Sequence, residues 1–227
     1  MTFIISHRCN IEGKNIKIEN NLDSFNECLK KRYWIEIDIR LVNNQFYVSH
    51  DDDKDYYENY FENFLKNLEK EKESSILLNI KENNYESRLL NLLSNYNVLD
   101  QIYFFDMELV ENKYREISDR LLNSEKKVKL VSRASDRSES IERAIASVDP
   151  YIWIDEFDSP WFNYLHSKKI IENKKNFFYV SPELHNPELD IQYIKQRWKE
   201  IINMNALGIC TDYANTLNQC IKKNQFI

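Results

Sequence analysis

The sequence predicts an α/β protein, a single-domain (β/α)8 (TIM) barrel over residues 1–227. Three observations carry this. Short apolar runs alternate with stretches of helical periodicity, which implies parallel strands joined by right-handed crossovers. No Pro-, Gly- or Ser-rich linker divides the chain. Each apolar run ends in a polar or ionisable residue, as in a barrel whose chemistry sits at the C-terminal ends of its strands. An open doubly wound sheet is the alternative arrangement of the same units.

The elements follow in order. Phe3–Ser6 is a short strand, and Asn21–Lys31 a helix with Leu22, Phe25, Cys28 and Leu29 on one face. Trp34–Ile39 is a strand, and Phe46–Ser49 is its hairpin arm after an Asn43-Asn44 turn. The spacing then predicts helix at Tyr56–Lys72, strand at Ile76–Ile80, helix at Tyr85–Tyr96 and strand at Ile102–Phe105. Helix Val110–Asn123, strand Val128–Val131, helix Ser138–Val148 and strand Tyr151–Ile154 come next. Helix Trp161–Ile171, strand Phe177–Val180 and helix Pro187–Met204 follow, with Pro187 suited to a first helical turn. Strand Ala206–Cys210 and helix Asn215–Lys223 close the series.

Composition excludes several function classes. With 2 Gly in 227 residues, Gly13 and Gly208 far apart, no glycine-rich phosphate loop can form. A net charge of −6 argues against non-specific nucleic-acid binding. The runs Lys30-Lys31-Arg32 and Lys126-Lys127 are flanked by acids and read as solvated helix faces. Cys9, Cys28, Cys210 and Cys220 are widely spaced, without C-x-x-C, so reduced thiols are expected rather than a disulfide framework or zinc site. No apolar run of about 18 residues appears, so no integral membrane segment is expected. The N-terminus lacks a signal-like pattern, and a cytoplasmic location is expected. Nothing in the pattern specifies an oligomeric state.

The chemistry concentrates at the strand ends. They carry His7 and Arg8, then Glu36, Asp38 and Arg40, then His50 and Asp51 on the hairpin arm. Asn79 and Lys81, Asp106, Arg133, Asp155 and Glu156, Ser181 and Glu183, and Thr211 and Asp212 follow. Residues two apart on a strand face the same way, so Glu36 and Asp38 project together, opposite Ile35, Ile37 and Ile39. Two carboxylates this close repel unless something neutralises them, and a divalent cation with oxygen ligands is the simple solution. A salt-bridged strand edge is the plainer reading of the same tripeptide. His7 and His50 each follow a strand-like run, and imidazoles titrate near neutrality, as a general acid and a general base require. Arg8, Lys81 and Arg133 add positive charge suited to an anionic substrate, phosphate above all. His166 and His185 read as structural or peripheral, and Trp153, Trp161, Tyr179 and Trp198 as core.

These residues resemble a family. Ile4-Ile5-Ser6-His7-Arg8, Ile35-Glu36-Ile37-Asp38-Ile39-Arg40 and Phe46-Tyr47-Val48-Ser49-His50-Asp51 look like the N-terminal signature of glycerophosphodiester phosphodiesterases: His-Arg-Gly, Glu-x-Asp, and His-Asp after a hairpin. Leu78-Asn79-Ile80-Lys81 resembles the family's Glu-x-Lys strand, and Gly208-Ile209-Cys210-Thr211-Asp212 its closing Gly-x-x-Thr-Asp strand. The resemblance implies a barrel like that of phosphatidylinositol phospholipases C. It implies a divalent cation, Mg or Ca, on Glu36 and Asp38, with Asn79 at the position of a third acidic ligand. It implies His7 and His50 as the acid–base pair, and Arg8 and Lys81 on the phosphate of a small phosphodiester substrate. In the family mechanism a hydroxyl of the substrate's glycerol attacks phosphorus, and water then opens the cyclic phosphate.

Three departures stand out. Cys9 replaces the glycine of His-Arg-Gly. Asn79 replaces an acid, with Asp106 and Glu183 as candidate substitutes. The stretch 51–75 is too short for the insertion that shapes the glycerol pocket in many members. The sequence therefore predicts metal-dependent hydrolysis of a small glycerophosphodiester-like compound to a phosphomonoester and an alcohol, by acid–base catalysis with His7 and His50. A phospholipase-like lyase or transferase that stops at a cyclic phosphate is one alternative, and a degenerate barrel that only binds a phosphorylated ligand is the other.

Overall fold

Alternation of side chains along extended chain decides which residues enter the barrel and which meet the helices. The computed structural model describes residues 2–51, 59–82, 84–106, 128–224 and 226. Among these, the strands are β1 (Phe3–His7), β2 (Trp34–Val42), β3 (Gln45–Val48), β4 (Ile76–Ile80), β5 (Ile102–Phe105), β6 (Lys129–Ser135), β7 (Tyr151–Asp155), β8 (Asn176–Val180) and β9 (Gly208–Thr211). All but β3 pair in parallel, and β1 bonds to both β9 and β2, so eight strands close into a barrel. The open-sheet alternative is thereby excluded. β3 is the antiparallel arm on β2, and Asn43 and Asn44, both at positive φ, form its turn.

Inward positions stack in layers. Phe3, Trp34, Tyr103, Tyr151 and Phe178 fill the N-terminal end of the barrel, where Phe3 stacks on Trp34 with centroids 4.1 Å apart. Gly208 sits among them, and a Cβ there would stand 2.8 Å from Ile5 Cδ1, so this layer leaves no room for a side chain. Ile5, Leu77, Phe105, Trp153, Val180 and Cys210 form the next layer. This plug is dry and apolar, which leaves the last inward residue of each strand to line the mouth.

Outward positions meet the helices: α1 (Leu22–Lys30), α2 (Phe61–Leu68), α3 (Glu86–Asn95), α4 (Ile141–Ala146), α5 (Tyr164–Glu172), α6 (Ile191–Asn203) and α7 (Ala214–Lys223). Ile35, Ile37 and Ile39 pack there with Phe25 of α1 and Phe64 of α2, whose rings meet edge-on at 5.0 Å. Burying each such side chain stabilises by about 1.5–3 kcal/mol.

Several boundaries differ from expectation for local reasons. Ser140, Asn163 and Asp190 are N-caps whose side chains accept the first free helical N–H groups, so α4, α5 and α6 begin later than apolar spacing suggests. Pro187 accordingly precedes α6 instead of opening it, and a short 3-10 turn occupies Pro182–Leu184. β6 runs on to Ser135, which places Arg133 within a strand. The expected helix Val110–Asn123 and the Lys126-Lys127 pair lie outside the described residues, as does the start of Tyr56–Lys72.

Candidate active site

The C-terminal ends of the strands enclose a cavity of about 300 Å³. His7, Arg8, Lys14, Glu36, His50, Asn79 and Lys81 line one side of it, and Phe105, Asp106, Arg133, Trp153, Asp155 and His185 the other. Larger surface hollows of about 510 and 570 Å³ lie beside α1 and α2 and at the opposite barrel end, away from these groups. Seven of the eight residues expected to carry the chemistry thus reach one mouth directly. The eighth, Asp38, lies fully buried beneath it.

The β1–β2–β4 side is built on Asp38. Its Oδ1 lies 2.9 Å from Lys81 Nζ, and its Oδ2 lies 3.1 Å from Arg8 Nε and accepts from Asn20 Nδ2 at 3.0 Å. Burial would raise its pKa, but Lys81 and Arg8 outweigh that and hold the carboxyl below its usual range. Glu36 has no such support. Burial, and then the like charge of Asp38, push it up to about 7.

The two proposed imidazoles are tuned in opposite directions. His7 Nδ1 is 2.8 Å from Asp212 Oδ1, and its Nε2 is 3.9 Å from Glu36 Oε2. Burial disfavours the imidazolium, yet Asp212 and Glu36 prevail and raise the His7 pKa. His50 sits on the hairpin arm, its backbone carbonyl accepting from Arg40 Nε and Nη2 at 3.0 and 2.8 Å. Its Nδ1 is 2.7 Å from Asp51 Oδ1. Burial, helped by Arg8 and Lys81, lowers the His50 pKa.

The β5–β6–β7 side reverses this pattern. Arg133 lies 3.3 Å from Asp106 Oδ1 and 2.7 Å from Asp155 Oδ2. Asp155 Oδ1 is 2.7 Å from His185 Nε2, and the His185 ring packs on Phe157 at 4.1 Å. Burial raises the Asp106 pKa to about 6 against the pull of Arg133.

Some functional positions were not visible in the sequence. Asn10 Nδ2 donates to Asp212 Oδ1 at 2.8 Å and to Glu19 Oε1 at 3.2 Å, and Arg8 Nη1 donates to Glu19 Oε2 at 3.3 Å. The loop after β1 therefore braces His7, Arg8 and Asp38 at once. Asparagines are so common in this chain that Asn10 and Asn20 carried no signal. Asp212 did, through the Thr211-Asp212 strand end. Lys14 lines the cavity, and no ion pair or hydrogen bond of its side chain appears among the described residues. His185, expected to be peripheral, lines the cavity, as does Trp153, stacked on Phe105 at 4.6 Å. Glu183 and Glu156 are buried elsewhere: Glu183 accepts from Ser181, Thr211 and the Asp212 N–H, and Glu156 pairs with Arg197 at 2.7 Å. Glu183 therefore does not replace the missing acid, and the other candidate, Asp106, lines the cavity paired with Arg133 at 3.3 Å.

The cation implied by the resemblance does not fit this donor set. Asp38 Oδ1 lies 2.9 Å from Lys81 Nζ without an aligned hydrogen bond, its Oδ2 faces Arg8 and Asn20, and Asn79 offers a neutral amide, so a cation would have to displace Lys81 to reach Oδ1. Among the described residues, no group of three or more His, Cys, Asp or Glu side chains could hold a metal ion. Asn79 Oδ1 is buried and, like Asp38 Oδ1, accepts no hydrogen bond among the described residues.

The departure at Cys9 has left the loop intact. Cys9 takes φ +70° and Arg8 φ +48°. A cysteine pays about 1–2 kcal/mol for a conformation glycine adopts freely, and its side chain is buried beside Cys28.

Solved structures share this architecture. A glycerophosphodiester phosphodiesterase from Parabacteroides distasonis matches with a TM-score of 0.68 at 15% identity, over 98% of both chains. A putative glycerophosphoryl diester phosphodiesterase from Agrobacterium tumefaciens matches with a TM-score of 0.73 at 13% identity, over 99% of this chain and 98% of that one. A second Parabacteroides distasonis chain, a glycerophosphoryl diester phosphodiesterase, matches at 0.69 and 15% identity, over 98% of this chain and 87% of that one. At such identities the likeness establishes the barrel. No protein-family model and no curated protein matches the chain.

Proposed function

We propose that the chain is a phosphodiesterase that hydrolyses a small glycerophosphodiester-like compound to a phosphomonoester and an alcohol. The observation that carries this reading is a single cavity that receives two oppositely tuned imidazoles together with Arg8 and Lys81. The solved structures of like fold bear names of the same activity.

Each group has a physical role. Lys81 and Arg8 attract the phosphate anion and stabilise the charge that grows on its oxygens as the bond to phosphorus forms. His50, held neutral, accepts the proton of the attacking hydroxyl. His7, whose pKa Asp212 and Glu36 raise against the effect of burial, gives a proton to the departing alkoxide as the P–O bond breaks. A pair whose environments separate their pKa values is suited to this division of labour. The attacking hydroxyl belongs to the substrate's glycerol or to water. In the first case water then opens the cyclic phosphate with the two imidazoles exchanging roles.

Phosphorus NMR on a panel of glycerophosphodiesters tests the reading. The expected result is a phosphomonoester signal, with or without a transient cyclic species. A cyclic phosphate that persists makes the chain a lyase, and binding without turnover makes it a phosphate-ligand receptor.

A further inference from the structure

We propose that Lys81 takes the place of a divalent cation in this mouth: the Glu36–Asp38–Asn79 cluster keeps no resident divalent ion, and Lys81 with Arg8 supplies the positive charge the phosphate meets. The catalytic half of this statement rests on the phosphodiesterase reading; the occupancy half does not.

Charge and geometry agree on it. β2 and β4 pair with Asp38 directly opposite Asn79, so the two side chains share the inner wall below the mouth. Lys81 follows Asn79 by two residues and reaches back to Asp38 Oδ1 at 2.9 Å. The other Asp38 oxygen is held by Arg8 Nε at 3.1 Å and Asn20 Nδ2 at 3.0 Å. Asp38 is 0% exposed, and its Oδ1 carries no aligned hydrogen bond but faces Lys81 Nζ, so a divalent ion could use that oxygen only by displacing the ammonium. A hard divalent ion needs several oxygen donors and tolerates few neutral ones without carboxylate support. Here it would find Glu36, whose Oε2 already accepts the Arg8 backbone N–H at 3.3 Å, and the Asn79 amide. It would also have to displace one cation from Asp38 while facing another. An acid at position 79 would add the charge that makes displacement of Lys81 favourable, and asparagine withholds it.

Titration of the purified chain with Mn²⁺, read by electron paramagnetic resonance and calorimetry, tests the occupancy. The wild type is expected to bind with a Kd weaker than about 1 mM, beyond the weak end of oxygen-ligand sites. The Asn79→Asp, Lys81→Met double variant is expected to bind at least about tenfold tighter, because it adds one negative charge and removes one positive charge. Stoichiometric binding by the wild type at micromolar Mn²⁺ would overturn the proposal, whether or not the double variant folds. In parallel, hydrolysis of bis(p-nitrophenyl) phosphate is expected to be unchanged within about twofold between EDTA and added Mn²⁺, Mg²⁺ or Ca²⁺. A loss in EDTA of about 100-fold, restored by one of these ions, overturns the proposal as well. Absence of hydrolysis in every buffer defeats the phosphodiesterase reading instead, and the Mn²⁺ titration then decides the occupancy alone.

Discussion

The two sides of the barrel mouth use the same ingredients in opposite proportion. On the β1–β2–β4 side Asp38 is shared by two cations, Lys81 and Arg8, of which Arg8 also meets Glu19. On the β5–β6–β7 side one cation, Arg133, is clamped by two carboxylates, Asp106 and Asp155. Among the ion pairs of the described residues, Lys81 meets one carboxylate, Asp38, which it shares with Arg8, so of these two cations its ammonium is the less matched before an anion arrives. Pairing one cation with two carboxylates leaves no such charge and presents acceptors instead. On the proposed function the phosphate sits with His7 and His50, and the neutral, hydroxyl-bearing part of the substrate faces the Arg133 side. Arg133, expected from sequence to help hold phosphate, lines the same cavity and is paired there with Asp106 and Asp155.

Removing an imidazole from the first side gives the largest expected effect. His7→Ala or His50→Ala should reduce turnover on the order of 10²–10⁴-fold with folding retained. Circular dichroism beside steady-state kinetics checks both parts. Near-normal turnover in either variant removes that histidine from the proton transfer.

The two clamps should then separate by readout. Arg133→Met leaves Asp106 and Asp155 without their guanidinium, and breaking a buried pair costs about 3–5 kcal/mol of stability. Lys81→Met leaves Asp38 with Arg8 and Asn20, so it should lose less stability but more than about tenfold in kcat/KM. Urea unfolding and kinetics on both variants test the contrast. A Lys81→Met that unfolds more readily than Arg133→Met, with kcat/KM intact, would reverse the assignment of the two sides.

Glu36 sets a smaller, pH-dependent effect. Its carboxyl titrates near 4.5 when unfolded and about 7 when folded, so the native state holds the extra proton between those values. Stability from this group is full below about pH 4.5 and is lost as pH rises to about 7. Glu36→Gln should therefore flatten the fall in stability across that window and be the more stable form above it. A variant that follows the wild-type pH curve would show that Glu36 is not the group responsible. The smallest effect concerns rate: the kcat/KM profile should rise through a His50 pKa below 6.5 and fall through a His7 pKa above 6.5. His50→Ala should erase the acidic limb.

Much of this was legible in the sequence because it depends on two short-range rules. Alternation along a strand placed Glu36 and Asp38 on one face and Ile35, Ile37 and Ile39 on the other, and the order of apolar runs gave the barrel. The asparagine turn gave the hairpin arm that carries His50. What stayed hidden depends on who pairs with whom across the mouth. Arg133 and Lys81 look alike as strand-end cations, and only the neighbouring strands decide that one meets two acids and the other shares one. His185 looked peripheral because its 3-10 turn has no periodic signature. Asn10 and Asn20 act through loop geometry that no pattern of residue types specifies.

The central claim is that the Asp38 side of the mouth breaks a phosphodiester bond with His7 and His50. Incubating a glycerophosphodiester with the wild type and with His50→Ala, and following both by phosphorus NMR, addresses it most directly. The account predicts a phosphomonoester from the wild type and almost none from the variant at equal substrate binding. Equal turnover by the two proteins, or an unchanged diester with the wild type, would contradict it.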